Sequence, residues 1–219
     1  MMLTSVIRIA VISVILHFTV NASFAERLSI ADFSASGLDG WEKKQFSGST
    51  SYQLVQMDGK QVLLAESEDS ASALIKKAHI DIQRFPFLNW KWRIENRLFT
   101  EDEKNKSGDD YAVRMYVVID GGIFIWRTKA LNYVWAYQAS KGEVWENAFA
   151  GKHAQMIALR NRKDKLSTWY TEKRNVYADL KDLFGTDFHF IDAIAIMTDT
   201  DNSHGQAKAY YGDIYFTND

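Results

Sequence analysis

The sequence predicts an all-β protein: an antiparallel β-sandwich of the jelly-roll kind, with one short helix near 175–184 and a closed barrel as the alternative. Three observations lead there. Apolar and polar residues alternate with a period of two in most segments, as strands with one buried face require. Gly, Asn and Asp turns separate these segments at short intervals. Only one segment carries an apolar stripe at helical spacing.

Taking the elements in order, residues 1–25 read as a cleaved secretory signal rather than as part of the fold. Arg8 supplies the positive end, Ile9 to Val20 the apolar run, and Ser23-Phe24-Ala25 the small residues before a cut. The run is short for a bilayer span, which needs roughly 20 apolar residues. No membrane span is expected after cleavage, and the mature chain is expected at residues 26–219 as one domain. The sequence has no Cys, which suits a bacterial periplasm or another secreted setting without disulfides.

Strands are predicted at 28–34, 51–57, 60–66 and 72–82. The next runs through Leu88, Trp90, Trp92 and Ile94, which alternate with Asn89, Lys91, Arg93 and Glu95. The polar stretch 97–110 reads as a long exposed loop. Residues 110–119 then place Tyr111, Val113, Met115, Val117 and Ile119 on one face, with Asp110, Arg114 and Tyr116 on the other. Leu131, Tyr133, Trp135 and Tyr137 form a further stripe, and shorter strands are predicted at 143–149 and 154–160. The helix is capped by Asn175, carries Val176, Leu180, Leu183 and Phe184 on one side, and ends at Gly185. Residues 191–198 are apolar on both faces, as a strand in the middle of a sheet would be. The last strand is predicted over 208–216.

Charge narrows the partners. Without residues 1–25 the chain carries 25 basic and 28 acidic residues, a net charge of −3, and no basic run tracks a phosphate backbone, so nucleic acid is not an expected partner. The sequence contains no Gly-x-Ser-x-Gly turn and no HExxH, and its five His show no metal-ligand spacing, so it nominates no catalytic residue. Seven Trp and ten Tyr beside acids supply both parts of a sugar site, aromatic planes and polar groups for hydroxyls.

Three sets of residues are candidates for ligand contact. Asp110 and Arg114 lie about 13 Å apart along one strand face, so each meets a group on a neighbouring strand, either an internal ion partner or a ligand. Trp135 comes from a strand expected nearby, either as core or as a stacking plane. Asp199, Asp201 and Asn202 offer oxygens in a loop before Gly205. The spacing is not that of a helix-loop-helix calcium loop, because Gly is seventh and the twelfth residue is Tyr210. Either a looser ligand or metal site, or a solvated hairpin, fits these residues.

The segments IADFSASGLDGW, YQLVQMDGKQVLLAES and YYGDIYF are similar to the opening and closing strands of galactose-binding-like and carbohydrate-binding sandwich modules. More specifically, WKWRI, GDDYAVRMYVV, YVWAY, RNVYADLKDLFG and IAIMTDTDN, in that order, resemble an uncharacterised bacterial exported family, number 3047 among the domains of unknown function. The first resemblance implies a structural calcium between the first and last strands, with Asp32 and Asp213 in the matching places. Ser34 stands where that pattern often has Glu. The second implies a fold and no activity.

Together these readings predict an exported β-sandwich that binds a glycan or other small polar ligand on one sheet face. A polysaccharide hydrolase or lyase working through paired carboxylates, and a cell-envelope interaction domain, are the alternatives. Oligomeric state is not legible in the sequence.

Overall fold

A computed structural model describes residues 25–100, 102–123 and 127–219. The predicted signal segment therefore lies outside the described residues except for Ala25. Two seven-stranded sheets pack face to face. The first contains β1 (Arg27–Ala31), β3 (Ser51–Met57), β4 (Lys60–Glu68), β6 (Phe87–Ile94), β11 (Tyr170–Asn175), β13 (Gln206–Tyr211) and β14 (Ile214–Thr217). Its order is β1-β14-β6-β13-β4-β3, with β11 also paired to β6. The second sheet runs β2 (Trp41–Ser47), β5 (Ala71–Asp81), β12 (Phe190–Asp199), β7 (Arg114–Ile119), β8 (Lys129–Trp135), β10 (Gly151–Arg160) and β9 (Val144–Asn147). Among the described residues every pairing is antiparallel except β8 with β10.

The period-two faces meet between the sheets. Leu88, Trp90, Trp92 and Ile94 of the first sheet pack with Met115, Val117, Leu131, Tyr133 and Trp135 of the second in one buried cluster. Trp90 and Trp92 sit edge to face at 5.4 Å, an arrangement that suits the opposite charges of ring edge and ring face. β12, apolar on both sides, lies between β5 and β7 as expected of an interior strand. The helix α1 (Val176–Phe184) is capped as its sequence indicates. The Asn175 side chain accepts from the Ala178 amide at 2.9 Å, and Gly185, at φ 62°, returns its N–H to the Lys181 carbonyl at 2.9 Å.

Four departures from the sequence reading matter. β2 and β11 were not predicted, since their sequences, WEKKQFS and YTEKRN, have the polar composition of edge strands. The single strand expected over 208–216 is broken at Gly212-Asp213, so β13 pairs with β4 and β14 with β1, while both pair with β6. The strand at 110–119 begins only at Arg114. The stretch 97–110 is not simply an exposed loop. Its Leu98, Thr100, Glu103, Asp109 and Asp110 are buried, and the Glu103 carboxylate accepts the backbone amides of Tyr137, Gln138 and Ala139.

Candidate functional site

The outer face of the second sheet bears a cleft of about 330 Å³, lined by Phe46, Ala71, Asp109, Arg114, Tyr116, Asn147, Phe149, Met197, Asp199, Asp201 and Asn202. Strand register assembles it. Arg114, first residue of β7, pairs with Met197 of β12, so Asp199, two residues further on, projects from the same face beyond the end of β7. There the Asp199 amide donates to the Tyr111 carbonyl at 3.2 Å, and the Tyr111 amide donates to Asp199 Oδ1 at 3.3 Å.

Arg114 is 3% exposed and fully engaged. Its Nε donates to Asp199 Oδ1 at 2.8 Å, its Nη2 donates to Asp199 Oδ2 and to the Asp109 carbonyl, and its Nη1 reaches Asp109 Oδ2 at 3.5 Å. The guanidinium also lies 4.3 Å from the centre of the Tyr111 ring. Burial alone would lower its pKa, but the Asp109 and Asp199 carboxylates hold it well above the ordinary value, so it stays charged. Burial pushes the Asp199 carboxyl up to about 7 against the pull of Arg114, and pushes Asp201 up as well, helped by the charge of Asp110. The Tyr116 hydroxyl, also raised by burial to about 12, donates only a weak bond to Met197 Sδ at 3.5 Å.

Asp110 shapes the neighbouring loop. Its Oδ1 accepts from the Asn202 backbone amide at 3.2 Å and from Asn202 Nδ2 at 3.1 Å, and its Oδ2 accepts from the Ser203 amide at 2.6 Å. The turn closes with the Gly205 amide on the Thr200 carbonyl and His204 at φ 54°. Asp199, Asp201 and Asn202 are thereby fixed along the cleft wall, with the Asn202 amide also reaching Asp201 Oδ1 at 3.2 Å.

Thus Arg114, Asp199, Asp201 and Asn202 converge on one cleft, with Asp110 holding their loop from outside its lining. Trp135 does not join them. Val134, not Trp135, lies opposite Arg114 in the β7–β8 register, so alternation turns Trp135 into the core. There it is 4% exposed, packs edge-on against Tyr170 at 5.3 Å, and donates Nε1–H to the Asn161 carbonyl at 3.1 Å. Asp32 and Asp213 serve backbone amides: Asp32 accepts from Ala35 at 3.0 Å and Asp213 from Phe33 at 3.2 Å.

Phe46, Phe149, Asn147 and Asp109 complete the cleft. The two Phe are each 59% exposed. Phe46 stands among polar residues near the end of a charged edge strand, and Phe149 sits in a turn in which Asn147 Oδ1 accepts the amides of Phe149 and Ala150. A Phe beside polar residues was the only sequence signal available for the two rings, whereas Asp109 stood out beside Asp110.

Residues 39–215 match the family described as "Protein of unknown function (DUF3047)". No protein of curated function matches the chain. Among solved structures, the family 30 carbohydrate-binding module of the cellulosomal cellulase Cel9D-Cel44B of Clostridium thermocellum is similar at a TM-score of 0.52 and 10% identity, over 88% of this chain and 97% of that one. The xyloglucanase domain of NopAA, a type three effector from Sinorhizobium fredii, superposes at 0.45 with 9% identity, over 82% and 94%. The enzymatically active domain of bacteriophage CBA120 tailspike protein 4 does so at 0.44 with 9% identity, over 87% of this chain, which spans only 21% of that domain. At such identities the likeness is one of fold, and function has to be argued from the site.

Proposed function

We propose that this chain, which belongs to the DUF3047 family, is an exported β-sandwich protein that binds a glycan or related small polar ligand in the cleft on the outer face of its second sheet. One observation carries the reading: a fixed, buried Arg114–Asp199 pair lines a cleft that also has exposed Phe46 and Phe149 rings in its lining. Sugars present apolar C–H faces and hydroxyls together. Aromatic planes take the first, and polar groups held by packing take the second without first having to be ordered. Asn147, Asn202 and the Tyr116 hydroxyl add uncharged donors and acceptors along the lining. The cleft volume falls at the small end of the roughly 300–1,000 Å³ usual for ligand sites. Export rests on the N-terminal sequence. Among the described residues no helix is long and apolar enough to cross a membrane.

The test is a glycan screen with the purified protein, with release of reducing ends followed in the same wells. Phe46→Ala and Phe149→Ala should each weaken binding roughly 2- to 10-fold, the equivalent of about 0.5–1.5 kcal/mol of ring contact. Both should melt within about 0.5 kcal/mol of wild type, as surface changes do. Binding indifferent to both substitutions would remove the cleft as the ligand site, and turnover in the wells would move the chain to the polysaccharide hydrolases.

A further inference from the structure

We propose that the acidic knot at the wall of this cleft is a calcium site, in which Asp110, Asp199 and Asp201 each give one carboxylate oxygen and the ion presents its remaining positions to the bound ligand. The site stands on its own residues; its part in ligand binding rests on the reading of the cleft given above.

Geometry is the first support. One carboxylate oxygen from each of the three acids lies within 4.8 Å of the others. Oxygens bonded to one calcium at about 2.3–2.6 Å cannot be further apart than about 5 Å, so the three fit around a single ion. Among the described residues this is the one group of three or more such side chains.

Spare lone pairs are the second. An ionised carboxylate offers about four acceptor sites. Asp110 receives three hydrogen bonds, from Asn202 N, Asn202 Nδ2 and Ser203 N. Asp199 also receives three, from Tyr111 N, Arg114 Nε and Arg114 Nη2. Asp201 receives one, from Asn202 Nδ2. Each retains capacity for an ion, and Asp201 retains the most.

A separate observation comes from Asp109, which lines the same cleft and is 3% exposed. Its Oδ2 accepts from Asn147 Nδ2 at 3.0 Å, while its Oδ1 is buried without any hydrogen-bond partner. A carboxylate oxygen out of water with no hydrogen-bond partner is unfavourable, and a cation held by the three neighbouring acids lowers that cost through its charge. The charge balance points the same way. Among the described residues Arg114 is the one cation bonded to any of the four acids, so with all four ionised three of their negative charges are unbalanced. A dication reduces that excess to one.

The donor chemistry selects the ion. All the groups are hard oxygens with no His or Cys among them, and they come from a strand end and two loops that can supply an irregular shell, which suits calcium over zinc or magnesium.

The experiment is a titration of chelator-stripped protein with calcium chloride, read by calorimetry and by melting. Wild type should take up one ion per chain and melt higher with calcium, because an ion that binds only the folded state stabilises it by RT ln(1 + [L]/Kd). Asp201→Asn should keep the melting temperature of stripped wild type and lose calcium affinity by at least the roughly tenfold seen when even an outer partner of a metal is removed. Asp213→Asn should bind calcium as wild type does. No heat and an unchanged melt at millimolar calcium, or wild-type affinity in Asp201→Asn, would overturn the site. So would loss of binding in Asp213→Asn alone. Glycan binding that persists in chelator would leave the cleft reading standing and remove the ion from it, whereas calcium uptake with no glycan response would keep the ion and remove the ligand reading.

Discussion

Removing the Arg114 side chain would leave two buried carboxylates, Asp109 and Asp199, without the cation that lies between them. Breaking a buried pair from one side costs about 3–5 kcal/mol, because the surviving charges stay out of water. Denaturant unfolding of Arg114→Ala should show a loss of that size; a loss below about 1 kcal/mol would mean that water reaches the pair. Trp135→Ala should cost a similar 3–5 kcal/mol for a different reason, an emptied cavity where a ring packed against Trp92 and Tyr170. At this scale the sequence was half legible. A strand running through 110–114 would put Arg114 and Asp110 about 13 Å apart and send each to a partner elsewhere, although the strand begins only at Arg114 and Asp109 also reaches the guanidinium. That the partners are Asp199 for one and the Asn202–Ser203 amides for the other depends on strand register, which no periodicity encodes. The same missing register left open whether Trp135 was core or a stacking plane.

The elements separate by how much of them is buried. β6, β12 and α1 were readable because burial imposes a period on their sequences, two for a one-faced strand, none for an interior strand, and 3.6 for the helix. β2 and β11 bury little or pair mainly at an edge, so composition leaves no trace of them, and Phe46 of the cleft went unseen with β2. The break between β13 and β14 had a visible sign in Gly212, whose amide donates to the Lys91 carbonyl of β6 at 2.9 Å. The turn before Asp109 makes a sharper prediction. A Cβ on Gly108 would overlap the Thr100 hydroxyl and the Asp102 carbonyl, and the second of these is backbone that cannot swing away. Gly108→Ala should therefore destabilise by about 1–3 kcal/mol, the range for overpacking, and should displace Asp109 and Asp110 with it. Unfolding measurements and ligand binding on the same variant would check both halves; an Ala variant that melts and binds as wild type would show the turn to be free to move.

Across the whole molecule a charged network ties the two sheets together on the side where β10 faces β11. Arg160 of the second sheet donates to Glu172 of the first at 2.6 and 3.1 Å, and Glu172 also accepts Trp92 Nε1–H at 3.0 Å. Asp164 extends the chain of contacts, 3.6 Å from Arg160, 2.6 Å from Lys141 Nζ and 2.9 Å from the Asn161 amide. No sequence pattern announces this network, because its members are scattered and each alone reads as a surface charge. Its pH behaviour follows from Asp164. Burial alone would raise this carboxyl, but the Lys141 ammonium and the Asn161 amide hold it below the ordinary carboxylate value. A depressed folded pKa means that the unfolded chain binds the proton more readily, so the contribution is fully present above the unfolded value of about 3.9 and disappears as pH falls through the folded one. Melting temperatures of wild type and Asp164→Asn should accordingly differ most at pH 5–7 and converge on acidification below about pH 4. A gap that persisted at pH 2 would show that the Asp164 side chain contributes as a neutral hydrogen-bonding group, and that the charge in this network has little part in holding one sheet to the other.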